Sequence, residues 1–374
     1  MNAKLSGLGL LAMVVLLAGA SQANAAASAY TFTFLDTPSG DQASSVAYAI
    51  NNAGQVAGTT SSRSTLDHYA TLWNGTTATF LPSPQTGTGR ILSDAFAIND
   101  AGQVAGFAET GAAPHAFRWD GARATELPPG PLSNGFSSAN AINDAGQVVG
   151  SAASTGGNNH AFLWNGTTPT DLGTLRDDAS SSRANAINNA GQVAGVSSGH
   201  ATLWNGTTAT ALGTLGGTRS TAFAINDAGQ IAGSAATPGG DTHATLWNGN
   251  TATDLGTLQG GSQSEALAIN DAGHVAGWSA TTGAFEDRHA TLWEGTTLTD
   301  LNKFLDASTV NAGWVLTIAT GINDNGWIVG TATNRQLLDA NAFLLTPIPE
   351  PETYAMLLAG LGLMGFMLRR RRIS

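Results

Sequence analysis

Ala224-Ile225-Asn226-Asp227-Ala228-Gly229-Gln230-Ile231-Ala232-Gly233, then His243-Ala244-Thr245-Leu246-Trp247-Asn248-Gly249-Asn250-Thr251-Ala252-Thr253-Asp254-Leu255-Gly256-Thr257-Leu258, is one copy of a sentence written seven times in the chain. Its first half returns around Ile50, Ile98, Ile142, Ile187, Ile269 and Ile322, at spacings of 38 to 53 residues. The second half returns with Trp73, Trp119, Trp164, Trp204 and Trp293, and shrinks to Asn341-Ala342-Phe343-Leu344-Leu345 in the last copy. A fixed period of this kind overrules the two or three domains that 374 residues would otherwise suggest.

Turn chemistry cuts each unit into four short strands. The Ala-x-Ala-Ile segment is the first, and the Asn-Asp-Ala-Gly type of turn leads into Gln-Ile-Ala-Gly, because Asn, Asp and Gly accept the positive φ that tight hairpins need. His-Ala-Thr-Leu-Trp is the third strand, and Asn-Gly supplies a two-residue hairpin signal into the fourth, Thr-Ala-Thr-Asp-Leu. The first two strands carry apolar or small residues on both faces, whereas the fourth alternates Thr or Asp with Ala or Leu, so burial should grade from first to last. Four strands in about 40 to 50 residues is the period of a β-propeller blade.

The ends of the array bear on closure. The seventh copy stops after its third strand at Leu345, while the chain begins with an unattached Tyr30-Thr31-Phe32-Thr33-Phe34-Leu35. Leu35 precedes Ile50 by fifteen residues, as Leu172 precedes Ile187, so the leading segment reads as a displaced fourth strand. The expected fold is therefore all-β: residues 26–348 as a seven-bladed propeller of four-stranded blades, closed by the N-terminal strand, which removes an edge open to aggregation. A right-handed β-helix is the alternative, weakened because its coils are shorter and need no complementary ends.

Composition limits the chemistry. There is no cysteine, hence no disulfide framework, thiolate nucleophile or Cys-based zinc site. Hydrophobic residues make up 42 % of the chain and alternate regularly, enough for a core despite 47 glycines. The net charge is −11, and five of the fifteen basic residues, Lys4 and Arg369 to Arg372, lie in the end segments, so the body of the protein repels nucleic acid.

The two ends read as addresses. Lys4, an apolar run from Leu8 to Leu17 and Ala23-Asn24-Ala25 form a secretory signal peptide, residues 1–25, with cleavage after Ala25. At the other end Pro349-Glu350-Pro351 precedes an apolar stretch of about 354–368 and the cluster Arg369-Arg370-Arg371-Arg372. Such a cluster stays on the cytoplasmic side of a membrane, so everything before it faces away from the cytoplasm. The short, Gly- and Ala-rich segment suits temporary rather than permanent anchoring.

Residues 349–374 resemble the PEP-CTERM sorting signal: a Pro-Glu-Pro motif, a hydrophobic helix and a terminal basic cluster, recognised by an exosortase. The resemblance implies a Gram-negative, exopolysaccharide-producing host, export through the Sec translocon and signal peptidase, transient inner-membrane anchoring, and cleavage near Pro349-Glu350-Pro351. The repeat region resembles the HAF family of extracellular repeats, matching at His115-Ala116-Phe117 and His160-Ala161-Phe162, while His200, His243 and His289 precede Ala-Thr. His68 departs, with Tyr69 inserted before Ala70, which predicts a bulge. That resemblance implies extracellular placement and no particular activity.

The search for chemistry returns little. Six of the seven histidines recur at one repeat position, and in five of them His and Trp share a strand face, so equivalent copies in a ring are too far apart for one metal ion; a structural hydrogen-bonding role is expected. Asp100, Asp144, Asp227, Asp271 and Asp324 fall in the first turn, where Asn52 and Asn189 replace them, and are expected to bond their own backbone. Calcium is the one cation such turns could take, but no dense acidic loop is present, and no other cofactor is expected. No catalytic residue is assigned. The repeat is broken late, by His274, Trp278, Trp314, Trp327 and the insert 285–288, which are candidate carbohydrate contacts or gap fillers between the sixth and seventh blades. The reading is an exported surface or exopolysaccharide-matrix protein with a structural or adhesive role. A lectin-like binder of exopolysaccharide is the alternative, and a polysaccharide hydrolase or lyase is a third.

Overall fold

The computed structural model describes residues 29–348, apart from 38–43, 85–89, 110–112, 129–134, 155–156, 177–179 and 283–286. The signal peptide with Ala23 and Ala25, and the tail with Pro349-Glu350-Pro351, the apolar segment 354–368 and Arg369 to Arg372, lie outside the described residues. Among the described residues no helix is long and apolar enough to cross a membrane.

The repeat folds into seven antiparallel sheets of four strands each, a seven-bladed β-propeller. We letter the strands of a blade A to D from the inner strand outward. In blade 5 they are Ser220–Ile225, Ile231–Ala236, Thr242–Asn248 and Thr251–Gly256, hydrogen-bonded in that order. Strand A is largely buried and strand D largely exposed, the gradient that the composition of the strands predicts. In blade 7, Trp314–Ile322, Ile328–Asn334 and Asp339–Pro347 are joined on the outside by Tyr30–Phe34, in register from Tyr30↔Pro347 to Phe34↔Phe343. Beyond that strand the Leu35 N–H donates to Ala342 O at 2.9 Å, as the Leu127 N–H does to Ala116 O and the Leu212 N–H to Ala201 O in other blades.

The core lies between blades rather than inside any one of them, as in the cluster that joins Leu35, Val329 and Leu344 to Ile50, Val56 and Trp73. The strand C tryptophans Trp73, Trp119, Trp164, Trp204 and Trp247 are fully buried there. Burying so large a ring needs a partner for its N–H. Trp119 donates to Pro82 O, Trp164 to Pro128 O and Trp247 to Gly213 O, carbonyls just beyond strand D of the preceding blade, and Trp293 donates to Leu255 O within that strand; the Trp204 N–H alone of these has no partner among the described residues. Trp73 donates at 2.7 Å to Asp36 O, just beyond Tyr30–Phe34, so the leading strand stands where a D strand stands elsewhere.

A bulge in every strand A explains the glycine in the middle of every strand B. In blade 6 the register of Ser264–Ile269 shifts between Ala266 and Ala268 and turns the Glu265 carbonyl onto Gly277, where a Cβ would lie 1.9 Å from that oxygen. Two local expectations need correction. The C to D loop is Gly-x rather than Asn-Gly: Asn248 still pairs with Thr251, and Gly249 at φ +60 begins the loop. In blade 1 there is no bulge at Tyr69, because pairing runs unbroken from Gln55↔Asn74 to Ser61↔His68. Tyr69 instead takes the place that histidine holds in other blades and stacks on Phe80 at 4.5 Å.

Since backbone cannot yield as a side chain can, Gly277→Ala is expected to cost more than about 3 kcal/mol by urea denaturation. Gly249→Ala, strained in φ but with open space around it, should cost about 1 kcal/mol. Equal losses would contradict the bulge as the reason for the glycine.

Candidate functional site

The A to B turns converge on the axis. A depression of about 180 Å³ is lined by the same three positions from every blade, Ile50, Asn51 and Asn52 in the first and Ile225, Asn226 and Asp227 in the fifth. The first turn residue is always asparagine and is always buried. The Asn226 Oδ1 accepts from the Gln230 N–H at 2.8 Å and holds its own turn, while its Nδ2 donates to Gln230 Oε1 at 3.0 Å and to Asn270 O of the next blade at 3.0 Å. The inter-blade bond repeats from Asn51 to Asn99, Asn99 to Asn143, Asn143 to Asn188, Asn188 to Asn226, Asn270 to Asn323 and, at 3.0 Å, Asn323 back to Asn51.

A second circle lies just outside the first. The Asn52 N–H donates to Asp100 Oδ1, and the same contact passes through Asp144, Asn189, Asp227, Asp271 and Asp324 and returns to Asn52. The aspartates therefore do not cap their own turns, as sequence suggests; each accepts from its neighbour's turn. Asn52 Nδ2 bridges Asp100 and Asp324, and Asn189 Nδ2 bridges Asp144 and Asp227, at 2.8 to 2.9 Å. Among the described residues no group of three or more His, Asp or Glu is disposed to hold a metal ion.

Four repeat histidines find a carboxylate eleven residues on, across the C to D hairpin: His115 with Glu126 at 2.6 Å, His160 with Asp171 at 2.9 Å, His243 with Asp254 at 2.8 Å and His289 with Asp300 at 2.6 Å. Where Ala211 removes the acid, His200 Nδ1 turns to Ser198 O. The constant spacing of His to acid was the signal for these pairs. Burial opposes charge on Asp300, but His289 and the Asn302 N–H outweigh it and hold this carboxyl below its usual range.

The four candidate carbohydrate contacts do not form one patch. His274 and Trp327 stand at the axial-turn end, both where other blades have glutamine; the Trp327 ring lies against Gly54 of blade 1, filling the seam between blades 7 and 1 rather than 6 and 7. Its backbone N–H keeps the bond to Asn323 Oδ1. Trp278, 3 % exposed, lies in the middle of strand B of blade 6, and Trp314 opens strand A of blade 7 at the end opposite the axial turns. The Trp278 N–H donates to Glu265 at 3.1 Å, and Trp314 packs on Phe34 at 4.9 Å.

Two acids share one position of strand A that the repeat pattern does not mark. Asp94 lies in Ser93–Ile98 of blade 2 and Glu265 in blade 6, where other blades have Val46, Ser138, Arg183, Thr221 and Ile318. Burial pushes both carboxyls up, partly offset by the Thr59 hydroxyl on Asp94 and by Trp278 and Arg288 near Glu265. Burial, and then the charge of Asp94, push the neighbouring Tyr48 hydroxyl up to about 12.

Residues 347–372 match the PEP-CTERM protein-sorting motif, beginning at the last residue of strand C of blade 7. The motif implies an exported protein with a C-terminal sorting signal and an exosortase as its processing partner. No curated protein matches the chain. Similar solved structures include TolB from Acinetobacter baumannii, 12 % identical with a TM-score of 0.43 over 78 % of this chain and 63 % of that one. The chain thus spans less than two thirds of TolB. Others are YCF48 bound to D1 peptide, 13 % identical with a TM-score of 0.48 over 86 % of this chain and 96 % of that one, and the six-bladed Aleuria aurantia lectin, 13 % identical with a TM-score of 0.37 over 86 % and 97 %. These likenesses concern the fold alone.

Asn226→Ala removes three hydrogen bonds from a buried turn and is expected to cost about 3 kcal/mol in denaturant titrations, against about 1 kcal/mol or less for exposed Asp227→Ala. The lowered Asp300 carboxyl means that between its folded and unfolded pKa values the folded chain holds fewer protons, so stability rises with pH there. Asp300→Asn should therefore be less stable than wild type above about pH 5, with the gap closing below about pH 4. A gap independent of pH in urea titrations would contradict the pairing.

Proposed function

We propose that this is an exported surface or exopolysaccharide-matrix protein whose propeller is a structural or adhesive module, closed by its N-terminal strand and processed at its C-terminus by an exosortase. The observation that carries the reading is where the sorting motif begins. Strand C of blade 7 ends at Pro347, and the Ile348 N–H donates to Ala29 O at 2.7 Å, so both chain ends leave the fold side by side. Cleavage near Pro349-Glu350-Pro351 takes no strand from the propeller, and removal of a signal peptide after Ala25 leaves Tyr30–Phe34 intact. Under this reading the apolar segment 354–368 is a transient anchor with Arg369 to Arg372 on the cytoplasmic side. The likeness to HAF repeats supports extracellular placement.

A non-enzymatic role is supported by how the axial polar groups are spent. The two circles bind turn to turn at the mouth where a propeller could assemble reacting groups, and a catalytic centre needs its acid and base once rather than seven times.

The test is the mass of the native product from wild-type and exosortase-deficient cells. The wild-type product should end near residue 349 and the deficient cells should retain the tail. A tail present in both, or absent from both, contradicts the processing.

A further inference from the structure

Blades 3 and 4 leave a groove of about 450 Å³ between them on the face opposite the axial turns, within the size range of ligand sites. Blade 3 contributes Ser151 from strand B, Val148–Ala153, and Asn159, which opens strand C. Blade 4 contributes Ser181, just before strand A, and Arg183 within it, Ser182–Ile187. A short connection leaves the groove open. The B to C connection of blade 4 is 198–199 alone, whereas the others run from 110–113 in blade 2 to 281–287 in blade 6.

The polar groups of this seam are left unspent. In blades 1 and 2 the facing strand B and strand A positions are Thr59 and Asp94, which bond at 2.5 Å. In blades 3 and 4 the same positions hold Ser151 and Arg183, and the strand pairing sets only Val196 beside the arginine. Arg183 is exposed and makes no hydrogen bond or ion pair among the described residues, and no carboxylate is among the described residues that line the groove. That sets it apart from Arg63 and Arg335 on the same face, which are paired with Asp339 and Asp287. The wall beside it is fixed. Ser198, at φ +52, takes a left-handed conformation that glycine takes more easily, and its hydroxyl is buried with no hydrogen-bond partner among the described residues. The turn is held by the Ser198 N–H on Ser181 O at 3.1 Å and by the Ser220 N–H on Gly199 O at 3.2 Å, and backbone strain imposed in this way collects at ligand sites.

We infer that this groove binds one uronate unit of a polysaccharide chain, with the sugar's carboxylate on Arg183. A guanidinium fork takes a carboxylate in two parallel bonds, and a fork without an acid of its own has the charge and the donors to do so. The Asn159 amide and the Ser151 and Ser181 hydroxyls both donate and accept, as the ring hydroxyls of a sugar require. A neutral sugar would leave the Arg183 charge unanswered. The inference rests on the adhesive reading and deepens it, and loss of glycan binding would leave the sorting signal, tested by the tail's mass, untouched.

The experiment is calorimetric titration of the natively exported protein with galacturonate oligomers, mannuronate oligomers and the methyl ester of the galacturonate oligomers. Binding to the two acidic sugars is expected, weakening as salt rises, with none to the ester, which keeps the hydroxyls and lacks the charge. Arg183→Ala should weaken it at least about tenfold, and Arg183→Lys severalfold, since the charge stays and the fork is lost. Ser181→Trp, at an exposed position on the rim, should fill the groove and abolish binding while the near-UV spectrum stays native. Asp177→Asn with Asp178→Asn, the acids closest to Arg183 in sequence, should bind at least as tightly as wild type. Arg288→Ala, on blade 6, should leave affinity unchanged. No binding to either acidic sugar, equal binding to the ester, full affinity in Arg183→Ala or Ser181→Trp, or weaker binding in the Asp177 and Asp178 variant or in Arg288→Ala overturns the proposal.

Discussion

A buried amide that meets the carbonyl of the next blade is the constraint on which the molecule rests. Asparagine offers both an acceptor for its own turn and two donor hydrogens, one for its own turn's glutamine and one for a neighbouring blade, and the seven copies use the acceptor and the inter-blade donor alike. At about 1 kcal/mol net for each bond, the inner circle alone is of the order of a domain's whole stability, roughly 5–15 kcal/mol.

The outer circle shows the electrostatic cost of that convergence. Five carboxylates around one axis repel, and Asn52 and Asn189 relieve the repulsion by standing between acids and donating to both neighbours. Asp271 keeps an acid on either side; its carboxylate accepts from the Asp227 N–H and is otherwise screened by solvent, since it is exposed. The opposite face is built by departures from the repeat rather than by symmetry, with Trp278 in strand B of blade 6 and Leu338 at φ +52 in blade 7.

The blade was legible because its signals are local: turn residues, strand alternation and a period that both halves of the repeat share. The ties between blades were not, since the Asn226 carbonyl partner sits 44 residues away and nothing local marks it. The turn aspartates were misread for the same reason, their acceptor role being to a neighbour. The strand B glycine hides its cause in a bulge on the paired strand, and Tyr69 appeared as an insertion because His68 was aligned in its place. Trp278 looked available for stacking in sequence, but the middle of strand B is buried from both sides. The histidine–acid pairs could have been found from their constant spacing.

The central claim is that the hydrogen-bonded circles run unbroken through the seam between blades 7 and 1. Hydrogen exchange of the exported protein reads this directly through the turn amides. The Asp324 and Trp327 N–H groups should exchange as slowly as those of Asp144 and Gln230, because each donates to an asparagine Oδ1. Fast exchange confined to Asp324 and Trp327 would mean an array open at that seam, and the account of the fold would not stand.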